Sequence, residues 1–138
     1  MTKKRATLKE LKNLVAGFVK ERDWEQFHSP KNLSMSISIE AAELMEHFQW
    51  TNTVEEAVKI LKDKRERVEI EDELADIAIY LIDFCNLYGV DVERAILNKL
   101  KKNAKKYPAK LVKGKMEKYT FYKSGRKSTN RNLKNKLN

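Results

Sequence analysis

Residues 73–87 read ELADIAIYLIDFCNL and carry apolar side chains around nearly the whole circumference of one helix. Successive side chains of a helix are set about 100° apart, so Ile79 and Ile82 lie away from the side that carries Ile77. A helix that is apolar on every side is buried. These residues therefore predict a central helix with more apolar surface than one chain of 138 residues can cover, and we expect the chain to associate.

Four further helices are expected, and each follows a side chain that can accept hydrogen bonds from the free N–H groups of a helix start. Two of these starts have a glutamate three positions later, which predicts a capping box. The central helix is expected from about residue 68 to residue 87, with Gly89 as its stop, and the polar residues 62–67 leave open whether a loop precedes it. The other helices are expected over about residues 8–21, 30–49, 54–61 and 92–107, after the cap residues Thr7, Ser29, Thr53 and Asp91.

The composition favours an all-α, single-domain bundle of four to five helices that is completed by oligomerisation. The chain has only four glycines and two prolines, whereas all-β folds need turn residues about every ten positions. The single Cys85 cannot form an internal disulfide, and the basic start lacks an apolar signal segment. The best apolar run, residues 77–87, is interrupted by Asp83 and Asn86 and is too short for a membrane span, so we expect a cytoplasmic protein.

The net charge of +9 is concentrated at the end of the chain. Residues 99–138 hold 15 lysines and arginines against one acid, a net charge of +14, while residues 1–98 carry a net charge of −5. Apolar periodicity fades beyond residue 110, which predicts one domain over residues 1–122 and a basic tail over residues 123–138. Such a tail leaves open a second class of function, a nucleic-acid-binding module that uses the basic C-terminal segment.

Four carboxylates are placed by their spacing near apolar helix faces rather than only on a solvent-exposed face. In the second helix two glutamates run along one flank of the apolar stripe, while Glu46 points away from it. In the central helix a glutamate and an aspartate share the sector of the apolar side chains. Burying ionised carboxylates without partners is costly, so a cation is the simplest compensation, although a solvated helix face remains the alternative. The four residues are Glu40, Glu43, Glu73 and Asp76.

Hard oxygen ligands without cysteine or a histidine pair favour Mg²⁺. A di-iron site would need Glu-x-x-His on two helices, but His47 follows Glu43 one position too late. The sequence contains no glycine-rich phosphate loop, so any phosphate must be held by the metal and by side chains. The last helix offers such side chains on its inner stripe, namely Lys99, Asn103 and Tyr107.

Five segments of the chain carry a family resemblance. They are WEQFH at residues 24–28, EAAE at 40–43, FQW at 48–50, ELADIAIY at 73–80 and KLKKNAKKYP at 99–108. In order and spacing, over about residues 8–119, they resemble the MazG-like all-α nucleoside triphosphate pyrophosphohydrolases, and most of all the dCTP pyrophosphatase branch of that family.

The resemblance implies hydrolysis of a nucleoside triphosphate, dCTP or a modified dCTP, to the monophosphate and pyrophosphate, as house-cleaning of the nucleotide pool. It implies that the four acids bind Mg²⁺ and that the family's dimers, or tetramers of two dimers, build their sites partly across subunits. It further implies that one set of side chains forms the pocket for base and sugar and another holds the phosphates. The first set is Trp24, Trp50 and Tyr80, and the second is Lys99, Asn103 and Tyr107.

Phosphoryl chemistry requires charge neutralisation and an in-line nucleophile. We expect Glu43, with Glu40 beside it, to orient or deprotonate the attacking water, and Lys99 to stabilise charge on the departing phosphates. Selectivity between bases needs a polar group at the base edge, for which His28 is the candidate. Val15 stands where the dCTP branch tends to carry a histidine, and its smaller side chain leaves space for a substituent on the cytosine. A regulatory oligomer that kept its metal site without turnover is a further class of function, but the presence of all four acids argues against it.

Overall fold

The computed structural model describes residues 5–115, and within this range every regular element is a helix. This confirms the all-α prediction, with one short helix more than expected. Of the described residues, those up to Val92 form one compact unit, and those from Glu93 onward form a second. The predicted tail, residues 123–138, lies outside the described residues. The helices are α1 (Leu8–Glu21), α2 (Pro30–Glu46), α3 (Val54–Lys62), α4 (Lys64–Leu87), α5 (Val92–Lys106) and α6 (Ala109–Val112).

The two expected capping boxes differ in completeness. At the start of α1, the Glu10 carboxylate accepts from the Thr7 N–H at 2.7 Å, and the Thr7 hydroxyl accepts from the Glu10 N–H at 3.3 Å. At the start of α3, the Thr53 hydroxyl accepts from the Glu56 N–H at 3.2 Å. The Glu56 carboxylate, however, accepts from the N–H of Asn52 at 2.7 Å. The second box therefore closes one residue further back than the sequence predicts.

Helix α2 begins as expected and ends earlier. The Ser29 hydroxyl accepts from the Asn32 N–H at 3.1 Å and caps the helix start. The expected end near residue 49 is wrong, because the N–H of Phe48 donates to the Met45 carbonyl at 3.0 Å and the chain turns after Glu46. Residues 47–50 are therefore a turn that leaves the helix.

A single residue, Asp63, separates α3 from α4. Its backbone is extended, with φ of −68° and ψ of 129°, and its carboxylate accepts from the N–H groups of Arg65 and Glu66 at 2.9 and 3.1 Å. The polar run after residue 62 is thus the first turn of α4 rather than a loop, and the central helix starts four residues earlier than expected. At the other end, Gly89 adopts a φ of 64°, which confirms the predicted left-handed stop.

Helix α4 is the centre of the first unit and packs against α1, α2 and α3. As expected, a single chain does not cover all of its apolar surface, because Ile79 is 38% exposed and Leu81 is 41% exposed. None of the helices over residues 5–115 combines the length and the hydropathy of a membrane span. The buried apolar residues are Val19, Leu33, Ile70, Ile82, Cys85 and Val92.

Candidate functional site

Three of the predicted acids meet where α2 packs against α4. Glu40 and Glu43 stand one turn apart on α2, and Glu73 faces them from α4. One carboxylate oxygen from each of these residues lies within 4.8 Å of the other two. Glu40 and Glu73 are half-buried and Glu43 is exposed, so the group of carboxylates is open to solvent on one side.

The fourth predicted acid, Asp76, follows Glu73 by one turn of α4 and is not part of the group within 4.8 Å. Its charge nevertheless acts on Glu40. Partial burial raises the pKa of that glutamate, and the negative charges of Glu43, Asp76 and Glu73 raise it further. We refer to these four residues as the acidic cluster. Its members repel one another, and a cation bound among them would relieve that repulsion.

The acidic cluster fits Mg²⁺ in donor type and in spacing. Mg²⁺ binds carboxylate oxygens at about 2.1 Å, so two oxygens on opposite sides of one ion are about 4.2 Å apart. The observed spread of up to 4.8 Å is close to this distance, and rotation of the exposed Glu43 side chain can reduce it. The cluster therefore suits a hard divalent cation that keeps positions open for water and substrate oxygens.

A cavity of about 200 Å³ borders the acidic cluster at Asp76. Three residues that are expected to bind substrate line it together: Trp24, His28 and Tyr80. The rings of Trp24 and His28 have centroids 6.1 Å apart, and Phe18 packs edge-on against Trp24 at 5.8 Å. The side chains that line the cavity thus offer flat apolar faces on which a base can stack.

Tyr80 links the cavity to the acidic cluster. Burial raises the pKa of its hydroxyl, and the negative charges of Glu40 and Asp76 raise it further. The phenol therefore stays neutral at physiological pH, where it presents an apolar ring and an O–H group that can donate a hydrogen bond.

A buried histidine–aspartate pair lines the same cavity. Nδ1 of His28 lies 2.7 Å from Oδ2 of Asp83, whose side chain is only 2% exposed. Oδ1 of Asp83 has no hydrogen-bond partner among the described residues. The Tyr88 hydroxyl donates to the backbone carbonyl of His28 at 2.9 Å and so fixes the segment that carries the imidazole. We refer to His28 and Asp83 as the buried pair.

From the sequence, Asp83 is only a break in an apolar run. Its spacing was the signal that could have assigned it, because Asp76, Tyr80 and Asp83 follow one another at intervals of four and three. Those intervals place all three side chains on one helix face, and all three line the cavity.

Trp50 does not line the cavity that contains Trp24 and Tyr80. It is 83% exposed and lines a larger groove, of about 1050 Å³, together with Glu43 and Glu73 of the acidic cluster. Glu46 is exposed, as expected, and lines this groove as well. A single chain therefore does not bring Trp50 to the cavity that holds the other two predicted base-binding residues.

The predicted phosphate-binding residues belong to the second compact unit. Lys99 and Asn103 lie one turn apart on α5, and Tyr107 follows the helix, its N–H donating to the Asn103 carbonyl at 2.8 Å. Among the described residues, Ile96 and Leu100 of the same helix are 52% and 59% exposed. Lys99 is exposed and Asn103 is half-buried.

A helical bundle that gathers carboxylates from two adjacent helices beside an aromatic cavity defines a class of all-α proteins suited to holding a cation next to a flat ligand. The sequence pattern of the MazG-like family matches residues 35–120, which is more than half of the chain. The chain therefore belongs to the MazG-like family.

The similarity to known proteins, in sequence and in structure, extends over most of the chain. The dCTP pyrophosphatase 1 of Rattus norvegicus is 40% identical over 124 residues, which are 90% of this chain and 72% of the rat protein. The dCTP pyrophosphatase 1 of Bos taurus is also 40% identical over 124 residues, which are 90% of this chain and 73% of the bovine protein. A crystal structure of a pyrophosphatase from Archaeoglobus fulgidus matches with a TM-score of 0.70 and 39% identity, over 78% of this chain and 98% of the archaeal one.

Proposed function

We propose that this chain is a nucleoside triphosphate pyrophosphohydrolase that converts dCTP or a modified dCTP to the nucleoside monophosphate and pyrophosphate. Membership of the MazG-like family, and relatives about 40% identical that are named dCTP pyrophosphatases, support this activity. The observation that carries it is the meeting of three glutamate carboxylates within 4.8 Å beside a cavity with aromatic walls. The cellular role is the removal of unwanted nucleotides from the pool.

The acidic cluster would hold Mg²⁺ through Glu40, Glu43, Glu73 and Asp76. When bound, Mg²⁺ neutralises charge on the triphosphate oxygens and lowers the pKa of a bound water. Glu43 is the exposed member of the close group, so its carboxylate is free to orient or deprotonate a water for attack on the α-phosphorus. Glu40 would assist Glu43 in this step.

Lys99, Asn103 and Tyr107 would hold the phosphates that leave as pyrophosphate. They follow one another at intervals of four residues, and the eight intervals from the first to the last correspond to about 12 Å at the rise of a helix, long enough to follow a triphosphate chain. The Lys99 ammonium is exposed and brings the positive charge that stabilises the departing group.

Trp24 and Tyr80 would stack against the base, and His28 would contact its edge. Trp50 lines a groove with Glu43 and Glu73 and not the cavity itself, so we assign it to the sugar and base pocket of an assembled site. This arrangement requires a second copy of the chain.

We propose that the enzyme is a homodimer or homotetramer, because large apolar side chains stay exposed on α1 and α4 in one chain. Examples are Leu14, Phe18, Leu74, Ile79 and Leu81. Sedimentation should show at least a dimer, and an active, monodisperse monomer at low micromolar concentration would contradict this assembly. The free and buried Cys85 suits the reducing cytoplasm, in which we place the enzyme.

Nucleic-acid binding through the basic C-terminal segment is a second candidate function, favoured by the net charge of +14 over residues 99–138. Fluorescence anisotropy with a DNA or RNA oligonucleotide tests it by comparing the full chain with residues 1–122. The candidate function predicts binding by the full chain that falls steeply with salt and is lost on truncation, while turnover of dCTP is unchanged. Equal binding by both proteins would show that residues 123–138 are not responsible for nucleic-acid binding.

Product identification tests the proposed activity. The protein is incubated with Mg²⁺ and a panel of standard and modified deoxynucleoside triphosphates, and the products are separated by ion-exchange chromatography. We expect dCMP and pyrophosphate from dCTP, and no turnover in excess EDTA. Formation of a diphosphate and orthophosphate, or full turnover in EDTA, would overturn the assignment.

A further inference from the structure

We infer that the buried pair, Asp83 with His28, distinguishes an amino group from a carbonyl group on the pyrimidine of the substrate, an assignment that deepens the proposed function and rests on it. The pair lines the cavity that also contains Trp24 and Tyr80. A stacking residue contacts every base in the same way, so discrimination must come from polar atoms at the base edge. Both side chains of the buried pair line the cavity, and each has a polar atom that is not used in the contact between them.

The two polar atoms that are not used in the contact between His28 and Asp83 are both hydrogen-bond acceptors. A carboxylate only accepts, so the proton in the 2.7 Å hydrogen bond lies on Nδ1 of His28. In the tautomer of the neutral imidazole that carries its proton on Nδ1, Nε2 is an acceptor, and Oδ1 of Asp83 is a second acceptor. A ligand that suits this wall must therefore bring N–H donors.

The oxygen of Asp83 that has no hydrogen-bond partner among the described residues is the main support for a ligand with N–H donors. Asp83 is 1% exposed, and its Oδ1 has no hydrogen-bond partner over residues 5–115. A buried acceptor without a donor is unfavourable, and such groups are few in folded proteins. Because the residue Asp83 lines the cavity, a ligand donor that reaches its Oδ1 would satisfy this acceptor.

Cytosine carries an amino group at position 4, where uracil and thymine carry a carbonyl oxygen. The amino group supplies two N–H donors, one for each acceptor of the buried pair. Uracil and thymine offer a single N–H at position 3, and their neighbouring carbonyl would place its lone pairs against the two acceptors. The wall therefore favours the amino base and penalises the carbonyl base.

The size and position of the cavity favour a pyrimidine. Its volume of about 200 Å³ is below the range of roughly 300–1,000 Å³ that is typical of larger ligands, so it suits a single ring better than a purine. Asp83 follows Asp76 by seven residues, which is about 10 Å along α4 and on the scale of one nucleoside. A nucleotide with its phosphates at the acidic cluster would thus place its base edge near Asp83.

Paired substrates test the inference on the unaltered protein. The pairs dCTP with dUTP, and 5-methyl-dCTP with dTTP, keep the same ring substituent at position 5 and exchange the amino edge for the carbonyl edge. We expect kcat/KM to be about 10- to 100-fold higher for the amino member of each pair. If both members of each pair are converted equally well to monophosphate and pyrophosphate, the proposed function stands and the role of the buried pair is wrong.

The variant Asp83→Asn assigns the discrimination to this residue, because its amide replaces one acceptor oxygen with an N–H donor. We expect the ratio of kcat/KM for dCTP over dUTP to fall by about tenfold or more, with dUTP spared. The exposed Asp72→Asn, on the same helix, is the matched control and should leave the ratio unchanged. If Asp83 had a purely structural role, the variant would lower kcat/KM for dCTP and dUTP by the same factor, and that outcome would overturn the inference.

Binding of monophosphates separates the inference from the proposed function. If none of the four triphosphates is cleaved to pyrophosphate, the proposed activity fails, and calorimetric titration with dCMP and dUMP in EDTA then decides the role of the cavity. Tighter binding of dCMP by about tenfold or more supports the buried pair as the reader of the amino group. Equal affinity, or no binding of either nucleotide, overturns it.

Discussion

Two groups of carboxylates lie on α4 and differ in partners and burial. Glu73 and Asp76 belong to the acidic cluster, in which neighbouring acids help to raise the pKa of Glu40. Asp83, by contrast, is 1% exposed and has a histidine nitrogen 2.7 Å away. Crowded, half-exposed carboxylates require a cation from solution, whereas a single buried carboxylate with its own partner is positioned to accept hydrogen bonds. One helix face thus carries both the proposed cation site and the proposed recognition site.

The largest expected effect is on turnover when the acidic cluster loses a ligand. The change Glu73→Gln removes one of the three close carboxylates, and we expect kcat for dCTP to fall by about 1,000-fold while the fold is retained. The matched control is Glu71→Gln, because Glu71 is exposed and pairs with Arg67 of the same helix, at 2.8 Å. Steady-state kinetics should show the control within about twofold of the unaltered protein. Similar losses in both variants would mean that the acidic cluster is not the reaction centre.

Much of this architecture follows from local sequence signals. The Thr7 capping box, Ser29 ahead of Pro30, and Gly89 act within a few residues of their own positions, so they predict helix boundaries well. The end of α2 was missed because a single hydrogen bond from Phe48 to Met45 turns the chain there. Such a turn leaves no distinct pattern in the sequence.

The candidate site is predictable only where its residues share a helix face. Glu40 with Glu43, and Glu73 with Asp76, are each one turn apart, so helical geometry predicts each pair, and packing of α2 on α4 joins them. The buried pair joins residues 55 positions apart, and only the tertiary packing of the chain reveals that contact. The apolar surface that α4 leaves uncovered in one chain, by contrast, follows from the sequence, because residues 73–87 are apolar around nearly the whole helix.

Stability should respond most at the buried pair. The change His28→Leu leaves the Asp83 carboxylate buried without its histidine partner, and we expect the free energy of unfolding to fall by about 2–3 kcal/mol in urea denaturation. The control is His47→Leu, since the Glu66 partner of His47 is 3.4 Å away and its side chain is 46% exposed. That variant should lose less than about 1 kcal/mol. Equal losses would show that burial does not separate the two histidine–acid contacts.

A smaller effect concerns the pH dependence of stability at Glu40. In EDTA, this glutamate is protonated in both the folded and the unfolded chain below its ordinary pKa of 4.5. As pH rises, the unfolded chain releases this proton first, so the stabilisation associated with Glu40 declines until pH exceeds its raised pKa in the folded chain. The variant Glu40→Gln should therefore gain stability over the unaltered protein across this window.

Thermal melting at a series of pH values measures that difference, and comparing the two proteins isolates Glu40 from the other titrating groups. Addition of Mg²⁺ should raise the melting temperature of the unaltered protein and reduce the advantage of Glu40→Gln. Parallel profiles for the two proteins in EDTA would contradict the picture of mutually repelling carboxylates.

The position of an oxygen label tests the proposed reaction most directly. Turnover of dCTP with Mg²⁺ in water enriched in ¹⁸O, followed by mass spectrometry of both products, shows which phosphorus the water attacks. Attack on the α-phosphorus, with the water held at the acidic cluster, predicts that the label enters dCMP and that the pyrophosphate carries none. Label in the pyrophosphate, or release of dCDP with labelled orthophosphate, would contradict the account.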